Sequence, residues 1–179
     1  VIETAKKVRI TPVYQEELNG LGGAIRCAEE FSAGEPFAIL NGDTVMSSSN
    51  GIPVLGQLLE VFEQTNSTVM ALEKVPQELV NRYGIAGGTM ISQDVLKVEE
   101  LVEKPEPAEA PGNLAVAARY IYTADIFDAL RDTKPGKGNE IQLPDATRLM
   151  MERGKEVYGR VFAGKRHDIG DKLSFLKAT

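Results

Sequence analysis

The sequence predicts an α/β fold built on a mixed sheet, and three observations predict it. Apolar runs of strand length alternate with stretches of helical spacing through the first half of the chain. The run FAIL at 37–40 is continuous and apolar, as in the buried strands of parallel sheets, and it stops at Asn41-Gly42-Asp43. From 83 to 107 the texture changes to two or three short strands with turns between them. A chain of 179 residues, 42% of them hydrophobic, is expected to form one domain with a proper core. Only 6% are aromatic and none is Trp, so that core is mostly aliphatic.

The opening VIETAKKVRITPVYQ has no initiator Met and reads as the end of a helix entering a strand over 8–15. A fragment of a longer protein or a processed chain is therefore expected, and Pro12 puts the strand at an edge or a bulge. A glycine turn then opens a helix over 17–31, with Leu21, Ile25 and Ala28 at helical spacing. The stretch 53–65 is a helix with Pro53 at a plausible first position, and 67–75 is a strand. PQELVNRYG predicts a short helix with a glycine stop. NLAVAARYIY (113–122) is a strong strand, 124–132 a short helix and 134–140 a flexible turn. A helix over 141–154 carries Pro144 near its first turn, and 155–164 is a strand. RHDIGDKLSFLKAT runs from a strand end through glycine into a last helix.

A net charge of −6 and a pI near 5.0 argue against a nucleic-acid or membrane-surface binder, which needs a basic face. A small anionic ligand stays compatible, because a few local cations or a metal outweigh net charge. The single cysteine, Cys27, excludes an internal disulfide and a thiolate zinc cluster. Its helical spacing in AIRCAEEF predicts a small buried hydrophobe. There is no signal-peptide pattern and no run of membrane-spanning length, so a cytoplasmic protein is expected.

Ligands of open α/β sheets gather at the carboxyl ends of strands. Asp43 stands at such an end, with Gly42 to let the chain turn. His167-Asp168-Ile169-Gly170-Asp171 repeats the arrangement after VYGRVFAG. Asp43 and Asp168 could share a divalent cation, since Mg²⁺ takes one or two carboxylates plus phosphate oxygens. Asp and Gly are also ordinary turn and cap residues, so both readings stand. The stretch Asn19-Gly20-Leu21-Gly22-Gly23 could present N–H groups to an anion or a base edge, or be a plain tight turn. Its spacing fits neither a P-loop nor a dinucleotide fingerprint. In Val102-Glu103-Lys104-Pro105, Glu103 could accept from sugar hydroxyls and Lys104 could neutralise a phosphate. The alternative is a solvated surface pair. Pro105 biases Lys104 toward an extended backbone. His167, the single histidine, is expected to be structural.

Taken together and in order, these pieces resemble bacterial UTP–glucose-1-phosphate uridylyltransferases, within the sugar-nucleotide pyrophosphorylases. Gln15 with Gly20-Leu21-Gly22 is similar to the nucleotide-base loop, and Leu40-Asn41-Gly42-Asp43 to the strand-end aspartate motif. Tyr83-Gly84-Ile85, Val102–Pro105 and Ala110-Pro111-Gly112-Asn113-Leu114-Ala115 match in sequence and order. So do Glu140-Ile141-Gln142-Leu143-Pro144-Asp145-Ala146 and Gly170-Asp171-Lys172-Leu173. The last two are the most specific. Gly42 before the aspartate leans toward thymidylyltransferases, where the uridylyltransferase branch more often has Pro.

The resemblance implies a Rossmann-like nucleotidyltransferase fold: a mixed, mostly parallel sheet flanked by helices. It implies one domain over 1–179, incomplete at the N-terminus. It also implies transfer from UTP to glucose 1-phosphate, giving UDP-glucose and pyrophosphate. Asp43 and Asp168 would hold Mg²⁺, and Lys104 would contact the sugar phosphate. Gln15, Gly20 and Gly22 would face the uracil. Gly84, Glu103 and Glu140 would bind the glucose hydroxyls. Homo-oligomers are common in the family, and the helices after 141 are candidates for an interface. Two departures stand out. The G-x-x-T-R-type triphosphate loop and its downstream Lys are not among these residues, and Gly23 stands where the family often has His. A non-catalytic sugar-nucleotide-binding fragment or subunit and a dTTP-using enzyme are the alternatives.

Overall fold

The computed structural model describes residues 7–178. The helical reading of the first residues lies outside them. Among the described residues two short helices come first, α1 (Leu21–Arg26) and α2 (Glu29–Ser32). They replace the single helix expected over 17–31, which breaks at Cys27-Ala28. Cys27 is consequently exposed rather than buried, its thiol donating to Gly23 O at 3.3 Å. Next come β1 (Phe37–Leu40), β2 (Thr44–Ser48), α3 (Val54–Thr65) and β3 (Thr68–Lys74). A 3₁₀ turn over Gln77–Arg82 leads into the hairpin β4 (Gly84–Met90) and β5 (Val95–Glu103). The rest is β6 (Leu114–Tyr122), α4 (Asp125–Asp132), α5 (Leu143–Glu152), β7 (Val157–Val161), β8 (Gly164–Asp168) and α6 (Lys172–Ala178).

The main sheet has the order β1-β6-β3-β7-β5-β4, with a further β6–β4 pairing. Its middle strand shows why the chain folds in layers. In β3, Val69 and Ala71 face one side and Met70 and Leu72 the other, and all four are fully buried. On the first side lie Val54, Leu58 and Val61 of α3. On the second lie Ile126 and Leu130 of α4 and Met150 of α5. Each such side chain contributes about 1.5–3 kcal/mol by leaving water. Helices therefore cover both faces, as the α/β reading requires.

The expectation of a mostly parallel sheet is corrected. β1, β3, β4 and β7 run one way, but the opposed strands β6 and β5 lie between most of them. Among the described pairings only β3–β7 is parallel. The run FAIL is also not fully buried. Among the described residues β1 pairs only with β6, at the end of the sheet, and Leu40 is 54% exposed. The stretch 8–15 is not a strand: it joins no sheet, and Ile10 and Tyr14 are exposed. The glycine stop expected after PQELVNR is replaced by Tyr83 in extended backbone, so Gly84 begins β4 instead.

β2 and β8 form a separate two-stranded antiparallel sheet, and neither was expected as a strand of its own. Gln57 of α3 holds this ribbon to the body and is fully buried. Its amide nitrogen donates to Ile52 O at 2.9 Å and Ala163 O at 3.1 Å, and its oxygen accepts from Ala163 N at 2.7 Å. Without those partners a buried amide would cost on the order of 1–3 kcal/mol.

Candidate active site

The ribbon fixes the two aspartates. Asp43 immediately precedes β2 and Asp168 ends β8, where it faces Thr44 in the register. Ile169 N donates to Asp43 O at 2.8 Å, and Gly170 N donates to Asp168 Oδ1 at 2.9 Å. A Cβ on Gly170 would lie 3.3 Å from Asp168 Oδ1 and 3.9 Å from Asp43 Oδ2, so both carboxylates converge on one glycine. Both aspartates are exposed. Among the described residues no cluster of three or more His, Cys, Asp or Glu has metal-binding geometry. Any cation here is therefore held by two carboxylates, with its other positions left to water or ligand oxygens. Gly42 needs no glycine for its backbone. Its φ is not positive and a Cβ would meet open space, so the expected sharp glycine turn is not what presents Asp43. His167 lies in β8 opposite Val45, consistent with a structural place.

The glycine loop is fastened to the segment 140–141. Gly22 N donates to Ile141 O at 3.0 Å, and Ile141 N donates to Asn19 O at 2.7 Å. Gln15 Nε2 donates to Asn19 Oδ1 at 3.0 Å and Gly20 O at 3.1 Å. Gly20 has φ +91 and sits against Glu140, where a Cβ would approach the Glu140 Cβ to 2.7 Å. Gln15, Gly20, Gly22 and Glu140 thus form one unit. A cavity of about 460 Å³ lies beside it, lined by Tyr14, Gln15, Asn19 and Gly23 among others.

A second cavity, of about 430 Å³, is lined by Glu103, Lys104, Gly138, Glu140, Gln142 and Asp145. Gly84 pairs with Glu103 across the β4–β5 hairpin, and a Cβ on it would sit 3.0 Å from Glu103 Oε2. Gly84, Glu103, Lys104 and Glu140 are therefore brought together. Lys104 is not extended. Its φ is +47, in the left-handed region that costs a non-glycine residue roughly 1–2 kcal/mol. The amide of Lys104 donates to Tyr83 O at 3.0 Å, which holds it there against the preference set by Pro105. Its ammonium lies 3.5 Å from Glu103 Oε1.

Side chains that the sequence reading passed over join the two regions. The Tyr120 phenol is pushed well up, first by burial, then by the negative charge of Glu103, with Asp43 adding to it and Arg166 and Arg119 opposing. Arg166 of β8 pairs with Glu73 and lies 4.6 Å over the Tyr83 ring. Burial raises the Glu73 carboxyl, and Arg166 partly offsets this. Arg119 is buried and, among the described residues, donates to backbone carbonyls alone. The signal was in the sequence: Arg119 and Tyr120 sit inside the apolar strand NLAVAARYIY, where a charge needs a reason.

The sequence model of the nucleotidyl transferase family matches residues 2–179. The chain belongs to that family. It is 41% identical over 167 residues to the UTP–glucose-1-phosphate uridylyltransferase of Staphylococcus epidermidis, covering 93% of this chain and 57% of that protein. A crystal structure of an apo UDP-glucose pyrophosphorylase superposes with a TM-score of 0.94 at 37% identity, over 99% of this chain and 64% of that one. A UDP-glucose pyrophosphorylase complexed with UDP-glucose gives a TM-score of 0.89 at 39% identity, over 94% and 63%. The chain thus spans less than two thirds of these relatives' length. No helix among its described residues is long and apolar enough to cross a membrane.

Proposed function

We propose that the chain is part, at least, of an enzyme that transfers the uridylyl group of UTP to glucose 1-phosphate. The products are UDP-glucose and pyrophosphate. The observation that carries this reading is the convergence of Asp43 and Asp168 on Gly170, in a fold shared with a UDP-glucose-bound relative. A phosphate oxygen of glucose 1-phosphate attacks the α-phosphorus of UTP in line, and the bond to pyrophosphate breaks. No covalent enzyme intermediate is needed, so the residues act by position and charge.

Gln15 and the Gly20–Gly22 loop take the uracil edge. Gly84, Glu103 and Glu140 take the sugar hydroxyls, and Lys104 takes the sugar phosphate. Asp43 and Asp168 fit Mg²⁺: hard oxygen donors, two in number, open to solvent. Bound there, the ion neutralises charge that builds on the phosphates. The enzyme works in the cytoplasm as a homo-oligomer.

The test is pyrophosphate release from UTP and glucose 1-phosphate, with and without Mg²⁺, for the chain and for Asp43→Asn. Metal-dependent release that Asp43→Asn abolishes supports the reading, and unchanged turnover in that variant overturns the metal site. Because the chain spans 57% of its relative's length, a second reading applies. In it these residues form the sugar-nucleotide-binding part, and UDP-glucose binds without pyrophosphate release. Running the assay with dTTP in place of UTP separates the uridylyl from the thymidylyl enzyme.

A further inference from the structure

β6 carries a bulge at the point where it passes the aspartate turn. Met70 faces Tyr120 and Leu72 faces Val116, so three residues of β6, Ala117 to Arg119, stand against the single Ala71 of β3. Within the bulge Ala118 has φ +54, an unusual conformation for alanine. Bulges bend a strand and re-aim a side chain. Here the re-aimed residue is Arg119, only 9% exposed. Its Nη1 donates to Asn41 O at 3.1 Å and Ala118 O at 2.8 Å, and its Nη2 donates to Thr44 O at 2.6 Å. The two outer acceptors flank Asp43. Asn41 N in turn donates to Ala118 O at 3.3 Å, which closes a ring around the turn. Among the described residues Arg119 has no carboxylate within ion-pair distance, and the Asp43 charge acts on it from further away, partly offsetting the cost of its burial. The guanidinium serves these three carbonyls from two nitrogens held apart in one plane, whereas a lysine ammonium presents all its donors from a single atom.

We propose that Arg119 is a positioning residue that clamps the Asn41–Thr44 turn and so sets the Asp43 carboxylate opposite Asp168. The role rests on the metal site proposed above. It goes further in assigning the rigidity of that site to a buried cation on a different strand. An arginine that merely fills the core would affect stability alone. A positioning arginine affects the metal.

The test uses the full chain, wild type, Asp43→Asn, Arg119→Lys and Arg119→Gln. Thermal unfolding comes first. Mn²⁺ binding by electron paramagnetic resonance and turnover against Mg²⁺ and glucose 1-phosphate follow. The expected result is a folded Arg119→Lys or Arg119→Gln chain that binds Mn²⁺ about 10–100-fold more weakly, as for other outer-sphere supports. Its kcat falls while its KM for glucose 1-phosphate is unchanged, because the sugar cavity has other walls. Mn²⁺ binding that depends on Asp43 but not on Arg119 overturns the proposal alone. Wild-type Mn²⁺ binding indifferent to Asp43→Asn overturns the metal site and the Arg119 role with it. If neither Arg119 variant folds, Arg119 belongs to the core and the positioning role is overturned.

Discussion

Single residues in this chain separate backbone requirements from chemical ones. Lys104 holds a left-handed backbone and also supplies a charge to the cavity. Lys104→Gly and Lys104→Ala are both expected to lose activity, on the order of a hundredfold for one lost charged contact at the reacting phosphates. The glycine variant should unfold at the higher temperature, because it alone adopts φ +47 without strain. Equal melting temperatures would show that the backbone there is relaxed. Gly170 makes the opposite case. Its backbone accepts alanine, but the added carbon would press on Asp168 Oδ1 at 3.3 Å while only touching Asp43. Gly170→Ala should keep the melting temperature and lower turnover about tenfold or more through a misplaced Asp168 carboxylate. A melting temperature several degrees lower with full turnover would contradict this. The sequence singled out Asp43, Asp168, Glu103 and Lys104 because charged residues at strand ends are conspicuous, and the structure brings Asp43 near Asp168 and lines one cavity with Glu103 and Lys104. It was a poor guide to Gly42, where composition suggested a glycine turn and the backbone asks for none.

At the level of elements, packing of α1 against 140–141 builds the loop that faces the first cavity. Gly22 is the point of closest approach: a Cβ would sit 2.6 Å from Ile141 O, 2.7 Å from Ile141 Cγ2 and 2.9 Å from Leu130 Cδ2. Gly22→Ala should therefore destabilise the chain by about 1–3 kcal/mol, the usual cost of overpacking, read from urea unfolding. Binding of UDP-glucose should weaken with it, and a neutral result would mean that the loop relaxes freely. Helices over 54–65, 125–132 and 143–152 were legible because their apolar spacing matches the faces they bury. β2 and β8 were not. Ribbon strands such as TVMSS are short, largely exposed and weakly patterned, so nothing local sets them apart from loops. Nor does local pattern reveal the β6 bulge, since alanine gives no warning of a positive φ.

For the whole molecule, the layered α/β arrangement followed from composition and alternation, whereas strand direction did not. Direction depends on which strand lies beside which, and β6 inserts itself between β1 and β3 although it follows both in sequence. The pH response of stability also belongs at this scale. Lys155, just before β7, donates to Asp125 at the start of α4 and holds that carboxyl below its ordinary range. The folded value is depressed. Its contribution is therefore present above the unfolded carboxylate range and is lost as pH falls through the folded value. Asp125→Asn should cost under about 1 kcal/mol at neutral pH, as expected of a partly exposed pair. The difference from wild type should shrink toward zero in acid, and unfolding curves at neutral and acid pH check it. Glu73 works with the opposite sign, because burial raises it: its protonated form is favoured in the fold, and stability is lost as pH rises through its folded value.

The ribbon of β2 and β8 also sets an order of events. Its strands lie far apart in the chain, with the main sheet made between them. A ribosome delivers Asp43 before Asp168. A nascent chain that has emerged only as far as β7 holds Asp43 and half a ribbon, and the cation site proposed above gains its second carboxylate when β8 docks. Translation arrested just before and just after β8 is therefore expected to yield chains that differ in their hold on a divalent ion.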